Sequence, residues 1–453
     1  MSLRFFGTDG IRGEYGSATL NDGIAYRAGR AAACVARSML GVDRPQVIVG
    51  RDTRASGERL LAAFAQGVAR EGGNVLDLGV APTPAIAFAA RNSDAHLACA
   101  ITASHNPAKD NGIKFFQGDG VKPSEQLEQA LDDMIAEVSE DGFNPDETVA
   151  LVDASGLATD YASAIVAHFP EGLLAGRRVA LDCANGAMSS VAPAVFRELG
   201  ATVDTVAISP NGSNINDRVG SEHPESLGAL YATKRYDIGF AFDGDGDRVI
   251  LSDENGSRVP GEALLAALAL DAKERDALPA STLVTTVQSN LGLDSALKER
   301  GIRVERTDVG DKHIARRMLA NGFAVGGEES GHIVLGEFGI TGDGLFAAVK
   351  LAELVCRQEQ PISALTRIYA AFPQATKAVK VVAKPPISEC PVLSACIERL
   401  VTRLGEEGRL LVRYSGTEPK LRLLVEAKTK QAVDLAMEEL LEAVQLDLQS
   451  PVA

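Results

Sequence analysis

Short apolar runs rich in β-branched residues alternate with longer helix-like stretches over roughly the first 370 residues of the chain. Each run ends in a polar or glycine-containing turn, as in VIVGRD at 47, HLACAITAS at 96, VALDCANG at 179, IGFAFDGDGD at 238 and LVTTV at 283. This alternation predicts strands and helices stacked as α/β layers. Ligands in such sheets bind at the carboxyl ends of strands, so these turns are candidate sites of function.

The segments between the runs carry helical periodicity. GERLLAAFAQGVAREGG, from Gly57, has apolar residues at helical spacing and ends in glycines, which predicts a helix with a glycine C-cap. The alternation of strand-like runs and helix-like stretches ends at about Phe372. Beyond it we expect a helix over 391–404, a hairpin in LLVRYSGTEPKLRLLVEA and a last helix from about Lys430, which together make a small α+β unit.

Length and composition limit the possible folds. The chain has 453 residues, of which 45% are apolar and 23% are charged. A globular chain of this length is too long for one compact core, so about two to four domains are expected. The polar stretch SEDGFNPDET, from Ser139, is a candidate linker.

Charge and cysteine content favour a cytoplasmic protein. No apolar run reaches the roughly 20 residues that a bilayer requires, and the N-terminus MSLRFFGTDG lacks a signal-peptide pattern. The six cysteines form no CxxC pair, which indicates reduced thiols. The net charge of -16 disfavours nucleic acid and anionic membranes as partners. A cleft with a few arginines can still attract a phosphorylated substrate.

A serine lies in a turn after an apolar strand, in the segment ITASHNPAKDNGIKFF. Ser104 precedes His105, Asn106 and Pro107, and Lys114 follows within NGIK. Serine is a weak nucleophile until a base or a metal ion assists it, and a turn displays its hydroxyl. By itself the segment is also compatible with an ordinary surface turn.

Three aspartates alternate with glycines in FDGDGDR at 242–248. Asp243, Asp245 and Asp247 can turn their carboxylates toward one hard cation such as Mg²⁺, because the glycines let the backbone curl. Arg248 follows at once and can hold a phosphate oxygen beside the metal ion. Three carboxylates this close repel one another without a counter-ion, so the segment predicts a metal site.

Two other interpretations of the aspartates are weaker. An EF-hand loop from Asp243 would end at Glu254, which fits, but its sixth position would be Arg248 instead of glycine. Strand-like runs rather than helices also flank the loop. An aspartyl phosphatase would use Asp243 as nucleophile, which leaves the third aspartate, the arginine and the serine turn unexplained.

Two further segments offer groups for a sugar and for a phosphate. In GGEESGHIVL, Glu328 and Ser330 suit vicinal sugar hydroxyls, and His332 can transfer a proton or hydrogen-bond the substrate. RYSGTEPKLR predicts an oxyanion cradle of arginines, hydroxyls and an exposed amide. Its members are Arg413, Ser415, Gly416, Thr417 and Arg422.

Taken in order, the motifs resemble the α-D-phosphohexomutase superfamily. They are FGTDGIRG at 6–13, TASHNP with DNGIKFF, DGDGDR, GEESGH and SGTEP, and the resemblance spans Phe6 to Arg422. The amino-sugar branch is the most similar, through FGTDGIRG and through GVAPTPA at 79–85, DCANG at 182–186, NIN at 214–216 and TGDG at 341–344. Departures from that branch occur at Thr102, at Glu329 and over 217–219.

The resemblance implies an α/β fold with three related α/β domains and a smaller C-terminal α+β domain around a central cleft. The implied boundaries are 1–153 with the phosphoserine loop, 154–256 with the metal loop, 257–370 with the sugar-binding loop, and 371–453 with a phosphate-binding loop. It also implies roles for single residues. Ser104 would carry the phosphate and join Asp243, Asp245 and Asp247 as a ligand of Mg²⁺.

The other implied roles surround the reacting phosphate. Arg12, Lys114 and Arg248 would lie near it, with Lys114 as a candidate acid or base. Glu328 and Ser330 would bind the sugar, and the cradle of Arg413, Ser415, Gly416, Thr417 and Arg422 would hold the phosphate that is not transferred.

The implied activity is the interconversion of the 6-phosphate and 1-phosphate of a hexosamine in the cytoplasm, through a hexose 1,6-bisphosphate, for UDP-N-acetylglucosamine synthesis. A phosphomannomutase or phosphoglucomutase is the alternative within the superfamily, although that branch often has Gly-His where this chain has Gly310-Asp311. A non-catalytic sugar-phosphate sensor is the alternative from another class, but it would not need Ser104 beside three aspartates. We also consider a homodimer.

Overall fold

The computed structural model describes residues 3–7, 9–415 and 419–449. Contacts between residues divide the chain into two compact units. Unit 1 comprises Met1–Gln288 and Glu305–Arg367, and unit 2 comprises Ser289–Val304 and Ile368–Ala453. The sequence did not indicate that Ser289–Val304 would group with the C-terminal part.

The first sheet of unit 1 extends along the chain from Ile11 to Asp153. Its strands are β1 (Ile11–Glu14), β2 (Gln46–Arg51), β3 (Asn74–Val80), β4 (Leu97–Ile101), β5 (Asp110–Gln117) and β6 (Val152–Asp153), in the spatial order β1-β5-β4-β2-β3-β6. Strand β2 is parallel to β3 and β4, whereas β5 is antiparallel to β4 and β1. The helices of this part are α1 (Asp22–Leu40), α2 (Gly57–Arg70), α3 (Thr83–Arg91) and α4 (Glu125–Glu137).

The second sheet has the order β11-β10-β9-β7-β8. Its strands are β7 (Arg178–Asp182), β8 (Thr202–Val206), β9 (Ile238–Phe242), β10 (Val249–Ser252) and β11 (Arg258–Val259). Strand β7 is parallel to β8 and β9, and β10 is antiparallel to β9. The helices are α5 (Ser155–His168), α6 (Met188–Glu198) and α7 (Gly228–Tyr231).

The third sheet has the order β13-β12-β14-β15. Its strands are β12 (Thr282–Thr286), β13 (Arg303–Thr307), β14 (Val325–Gly327) and β15 (Ile333–Leu335). Strand β14 is parallel to β12, and β15 is antiparallel to β14. The helices are α8 (Gly261–Glu274), α9 (Gly292–Lys298), α10 (Asp311–Asn321), α11 (Gly344–Gln358) and α12 (Ile362–Leu365), of which α9 groups with unit 2.

Unit 2 contains an antiparallel sheet with the order β16-β18-β17. The strands are β16 (Gln374–Lys380), β17 (Gly408–Tyr414) and β18 (Lys420–Ala427), and the helices are α13 (Pro391–Leu404) and α14 (Lys430–Val444). Its core includes Leu393 and Leu400 of α13, Leu421 of β18 and Leu440 of α14, all buried. A sheet covered by two amphipathic helices is the α+β arrangement that the sequence predicts.

One feature is shared by the sheets of unit 1 and positions the functional motifs. In each sheet a strand in the parallel part is followed by a return strand that pairs with it in antiparallel fashion: β4 by β5, β9 by β10, and β14 by β15. The connections between these strands are residues 102–109, 243–248 and 328–332. Every one of them begins at the carboxyl end of its first strand, where α/β proteins bind ligands.

The predicted elements are confirmed. The apolar runs at 47, 96, 179, 238 and 283 form β2, β4, β7, β9 and β12, and the helix from Gly57 is α2. The C-terminal helices and hairpin are α13, α14 and β17 with β18. Residues 138–151, all within the described part of the chain, form no helix or strand. The four domain boundaries stay predictions.

No helix in the described residues is both long and apolar enough to cross a membrane. All six cysteines are free thiols, as their spacing predicts.

Helices α1 and α2 approach each other through their backbones. A Cβ atom at Gly29 would lie 2.0 Å from the carbonyl oxygen of Phe64, and one at Gly67 would lie 2.0 Å from that of Tyr26. Phe64 and Tyr26 are themselves buried. The absence of side chains at these two positions therefore permits the close packing of α1 on α2.

We predict that Gly29→Ala lowers the melting temperature of the protein. Forcing a methyl group into this contact costs about 1–3 kcal/mol, because backbone atoms must move to admit it. Gly156→Ala is the matched control, since a Cβ atom there in α5 meets nothing within 4 Å. Alanine in a helix is favoured over glycine by roughly 0.5–1 kcal/mol, so the control should be neutral or stabilising. Calorimetric melting that gave the two variants the same stability would contradict the backbone contact.

Candidate active site

Ser104 lies in the connection after β4, and its hydroxyl contacts the aspartate segment after β9. Its Oγ donates a hydrogen bond to Asp243 Oδ2 at 2.6 Å and lies 3.3 Å from His105 Nδ1. The residue is 2% exposed and has φ 54°, in the left-handed region that non-glycine residues seldom adopt. The structure therefore brings together the serine and the aspartates that the sequence singled out.

The carboxylates of Asp243, Asp245 and Asp247 converge. One oxygen from each lies within 4.8 Å of the others, and all three side chains are buried. Besides the Ser104 hydroxyl, Asp243 accepts the backbone N–H of Arg248 at 3.1 Å. Asp245 Oδ2 accepts the Thr83 hydroxyl at 2.7 Å. The segment is thus contacted by the connection after β4 and by Thr83 at the start of α3, and its last residue, Arg248, hydrogen-bonds to its first, Asp243.

The free oxygens of this triad suit a metal ion. Asp245 Oδ1 and Asp247 Oδ1 are buried and accept no hydrogen bond from the described residues. A buried carboxylate oxygen without a partner is destabilising, whereas a hard divalent cation prefers carboxylate oxygens as ligands. The donor set and these two unused acceptors therefore fit a metal ion held by Asp243, Asp245 and Asp247.

Lys114 compensates part of the negative charge. Its ammonium, on β5, lies 2.9 Å from Asp245 Oδ2, 3.2 Å from Asp247 Oδ2 and 3.1 Å from Asp9 Oδ2. Burial alone would lower the pKa of Lys114, but these three carboxylates outweigh it and raise that pKa well above its usual value. Lys114 therefore carries its proton at neutral pH in this arrangement.

Neighbouring groups shift the pKa values of Asp243 and Asp245 in opposite directions. Burial, and then the Asp247 and Asp245 carboxylates, raise the pKa of Asp243 well above its usual value. Burial also favours the neutral form of Asp245, but Lys114 and Thr83 reverse this effect and lower the pKa of Asp245. Contact with Lys114 therefore favours the charged form of Asp245, whereas burial beside the other two carboxylates favours the neutral form of Asp243.

A second group of charges lies behind Lys114. Lys122 pairs with Asp9 and, at 3.2 Å, with Asp311. The ring of His332 lies between two carboxylates, with Nδ1 3.9 Å from Asp247 Oδ2 and Nε2 3.8 Å from Asp311 Oδ2. His332 therefore lies beside carboxylates of both groups, at distances longer than a hydrogen bond.

Members of the triad and of the second group of charges line a cavity of about 380 Å³ within unit 1. Of the predicted site residues it includes Arg12, Ser104, Lys114, Asp247, Arg248, Glu328 and His332, and it adds Asp9 and Asp311. A volume of this size accommodates a small polar ligand. Its carboxylates offset its cations, so a bound metal ion would make it more attractive to a phosphate.

Arg248 and Glu328 face the cavity from different sheets. Burial would lower the pKa of Arg248, but Asp247 and Asp243 raise it, so the guanidinium stays charged. Glu328 Oε1 accepts the N–H of Gly310 at 3.2 Å, and its own N–H donates to the His332 carbonyl at 2.9 Å. Ser330 is not among the lining residues, and its buried Oγ has no partner in the described chain.

The predicted phosphate cradle lies in unit 2. Arg413 on β17 is directly opposite Arg422 on β18, and both are exposed. The Ser415 N–H donates to the Lys420 carbonyl at 2.8 Å, and Lys384 Nζ donates to the Ser415 carbonyl at 2.6 Å. Like charges directly opposite on neighbouring strands are destabilising, which an anion between them would relieve. Gly416 and Thr417 lie outside the described residues.

Several residues of the site were not assigned roles from the sequence. Asp9 and Thr83 stand within FGTDGIRG and GVAPTPA, but nothing in those motifs says which carboxylate or amine they contact. Arg54 and Asp52 follow β2 directly, and a charged pair at the carboxyl end of an apolar strand was the available signal. Lys122 carries no comparable signal.

Comparisons with known proteins agree with this geometry. Family models for phosphoglucomutase/phosphomannomutase match alpha/beta/alpha domain I over 3–142, domain II over 159–256, domain III over 260–372 and the C-terminal domain over 351–443. A phosphoglucosamine mutase of Symbiobacterium thermophilum is 40% identical over 448 residues, which is 98% of this chain and 100% of that protein. One of Bacillus subtilis is 39% identical over 98% of this chain and 99% of its own length.

A solved structure extends the likeness to the fold. A phosphoglucomutase/phosphomannomutase family protein of Burkholderia thailandensis is 25% identical and superposes with a TM-score of 0.78, over 98% of this chain and 97% of the other. The matched domains, the full-length relatives and the shared fold lead to one conclusion: the chain belongs to the phosphohexomutase superfamily and is an isomerase that relocates phosphate within a sugar phosphate.

Proposed function

We propose that the chain interconverts glucosamine 6-phosphate and glucosamine 1-phosphate, with Ser104 as the phosphate carrier and Mg²⁺ as the metal ion. The choice of amino sugar is supported by the full-length relatives, which are phosphoglucosamine mutases. The observation that supports the mechanism most directly is the 2.6 Å hydrogen bond from Ser104 Oγ to Asp243, because the proposed nucleophile then contacts the aspartates that we propose as metal ligands.

Two phosphoryl transfers complete the reaction. In the first, the bond from phosphorus to Ser104 Oγ breaks and a bond from phosphorus to the free hydroxyl oxygen of the sugar forms, while that hydroxyl loses its proton to a group of the site and Ser104 Oγ gains one. The product is a hexosamine 1,6-bisphosphate. In the second, after the bisphosphate has turned around in the site, the other phosphoryl group passes to Ser104 Oγ, which loses its proton, while the former sugar oxygen gains one. The enzyme is regenerated, and no further phosphate donor is consumed in the cycle.

The residues of the cavity supply positioning and charge. Phosphoryl transfer depends mainly on alignment and on neutralising the equatorial oxygens, for which Arg12, Lys114 and Arg248 are available. When bound at the aspartates, Mg²⁺ would withdraw charge from the transferring group. Lys114 holds a proton that it can donate, and His332 between Asp247 and Asp311 is a second candidate for proton transfer.

Recognition of the sugar is proposed for Glu328 and Ser330, and recognition of the second phosphate for Arg413, Ser415, Gly416, Thr417 and Arg422. The opposed pair Arg413 and Arg422 supports the latter, because an anion would relieve its repulsion. Cytoplasmic location and a homodimer stay predictions. A phosphomannomutase or phosphoglucomutase activity is the alternative that the substrate comparison below decides.

Ser104 provides the test of the function. We predict phosphate on Ser104 in the active enzyme, loss of mutase activity in Ser104→Ala, and full activity in the exposed-serine control Ser209→Ala. Peptide mass analysis locates the phosphate, and calorimetry shows that the variants fold. Catalytic efficiency of the wild type should be highest on glucosamine 6-phosphate among the glucosamine, glucose and mannose 6-phosphates. Phosphate on Asp243, or full activity without Ser104, would refute the mechanism.

Asp245 tests the metal assignment. Asp245→Asn should weaken Mg²⁺ binding about tenfold or more, because a neutral amide replaces an anionic ligand and its contact with Lys114 weakens. Titration calorimetry with Mg²⁺ measures this directly, and higher Mg²⁺ should restore part of the activity. Asp146→Asn, an exposed aspartate, is the control. Unchanged Mg²⁺ affinity in Asp245→Asn would remove the metal role from this segment.

Arg422 tests the phosphate cradle. Arg422→Ala should slow turnover about tenfold or more from either monophosphate, because one anchor must hold the 6-phosphate in one half-reaction and the 1-phosphate in the other. Without ligand the variant should melt no lower than wild type, since the opposed charges are removed. Arg399→Ala on α13 is the control. A defect with only one starting isomer would contradict a shared anchor.

A further inference from the structure

The backbone of the Ser104 turn is held from two sides. The carbonyl oxygen of Ser104 accepts hydrogen bonds from Arg54 Nη2 at 3.0 Å and from Asn216 Nδ2 at 2.8 Å. The carbonyl oxygen of Asn106 accepts from the same two atoms, at 2.8 Å and 3.0 Å. Each of the two side-chain nitrogens thus donates to both carbonyl oxygens, and together they restrain the backbone of residues 104–106.

Arg54 reaches the turn from the first sheet. Its side chain is fully buried and pairs with Asp52 at 2.9 Å. It also donates to the carbonyl oxygens of Pro107 and, at 2.9 Å, of Asp110, so one guanidinium spans the whole connection between β4 and β5. A planar guanidinium with several fixed donors is suited to such a task, which lysine cannot reproduce.

The ion pair of Asp52 with Arg54 is also linked to the backbone N–H of Ser104, through Thr102. Asp52 Oδ2 accepts the hydroxyl of Thr102 at 2.7 Å, and the Thr102 oxygen accepts the N–H of Ser104 at 2.9 Å. Both polar groups of the Ser104 backbone are therefore engaged. This explains how a residue other than glycine is kept at φ 54°, which is otherwise unfavourable.

Asn216 reaches the turn from the segment after β8, beside the metal loop. Its own N–H donates to the Ala184 carbonyl at 2.9 Å, which ties it to the second sheet. A Cβ atom on Gly244 would lie 2.7 Å from the Ser104 carbonyl oxygen and 2.9 Å from Asn216 Nδ2. The Ser104 carbonyl, the Asn216 amide and the Gly244 backbone consequently lie close together.

We propose that Asn216, together with Arg54, is a positioning residue that fixes Ser104 against the aspartates of the neighbouring sheet. The inference rests on the proposed phosphoryl transfer at Ser104. Both side chains donate to backbone carbonyls, and neither contacts the Ser104 hydroxyl. Their hydrogen bonds are therefore compatible with serine and with phosphoserine. A shift of about 1 Å in a reacting group can cost 10²-fold in rate, so such a restraint affects turnover.

The experiment replaces the donor at position 216 while keeping the backbone conformation. Asn216 has φ 58°, which aspartate and glycine tolerate. Asn216→Asp turns the amide donor into an acceptor facing two carbonyls, and Asn216→Gly removes the donor without adding charge. Asn211→Asp is the matched control, because it adds the same charge to the same segment at an exposed position whose amide nitrogen makes no contact with the serine turn.

For both Asn216 variants we expect kcat to fall about tenfold or more with KM close to the wild-type value, since alignment rather than substrate binding is lost. Asn211→Asp should behave as wild type. Hydrogen exchange followed by mass spectrometry gives a readout independent of activity: peptides covering 103–110 should exchange faster in the Asn216 variants, with other core peptides unchanged. Melting temperatures near that of wild type show that the variants are folded.

The outcomes separate this proposal from the proposed function. If wild type and Asn211→Asp interconvert the two monophosphates while the Asn216 variants keep full kcat or unchanged exchange at 103–110, the positioning role is wrong and the mutase stands. If the wild-type protein itself does not interconvert them, the proposed function fails, and faster exchange in the Asn216 variants would then support only the structural restraint.

Discussion

The contact of the Lys114 ammonium with Asp245 and Asp247 is the interaction on which the rest of the site depends. Asp243, Asp245 and Asp247 stand on one turn and are buried, so their mutual repulsion acts at short range in a medium that screens it poorly. Lys114 neutralises part of the charge on the Oδ2 oxygens of Asp245 and Asp247, while their Oδ1 oxygens accept no hydrogen bond from the described residues, and Asp247 Oδ1 lies 3.9 Å from Arg248 Nε. These oxygens are available to a cation, whose binding would stabilise the turn.

Motifs that are distant in the sequence come together because the same strand arrangement is repeated in three sheets. Ser104, Asp243 and Glu328 all follow a strand of the parallel part of a sheet, and in each case the next strand returns antiparallel to it. Such a return strand anchors the connection at both ends, so its side chains keep a defined direction. Because the equivalent ends of the sheets contribute to one cavity of unit 1, residues far apart in sequence become neighbours there. Repetition of one α/β arrangement therefore brings together the residues to which we assign the phosphate carrier, the metal site and the recognition of the sugar.

The sequence was sufficient for the elements and for the choice of candidate side chains. Continuous apolar runs predicted β2, β4, β7, β9 and β12. Ser104 and Asp243 could be proposed because nucleophiles and metal ligands require particular side chains, and the structure brings the two into contact. Arg54 and Asn216 could not be assigned in this way. Their partners are backbone carbonyls, which every residue possesses, so the pairing depends on three-dimensional placement and not on the identity of residues 104 and 106. The grouping of Ser289–Val304 with unit 2 could not be predicted either, because it depends on contacts between segments that are separated in sequence.

Holding the Ser104 turn by its backbone carbonyls bears on the role proposed for Ser104. In the proposed cycle, phosphorylation would add about −1.5 to −2 charge to Ser104 and transfer would remove it again, so any restraint acting through the hydroxyl would change in every half-reaction. The Ser104 Oγ contact with Asp243 is such a restraint, because a phosphoserine oxygen bonded to phosphorus has no proton to donate. The contacts from Arg54 and Asn216 do not involve that atom. In that cycle they would persist through both states and keep the backbone in one place, while the proposed metal site, rather than the turn, would accommodate the arriving and departing phosphate.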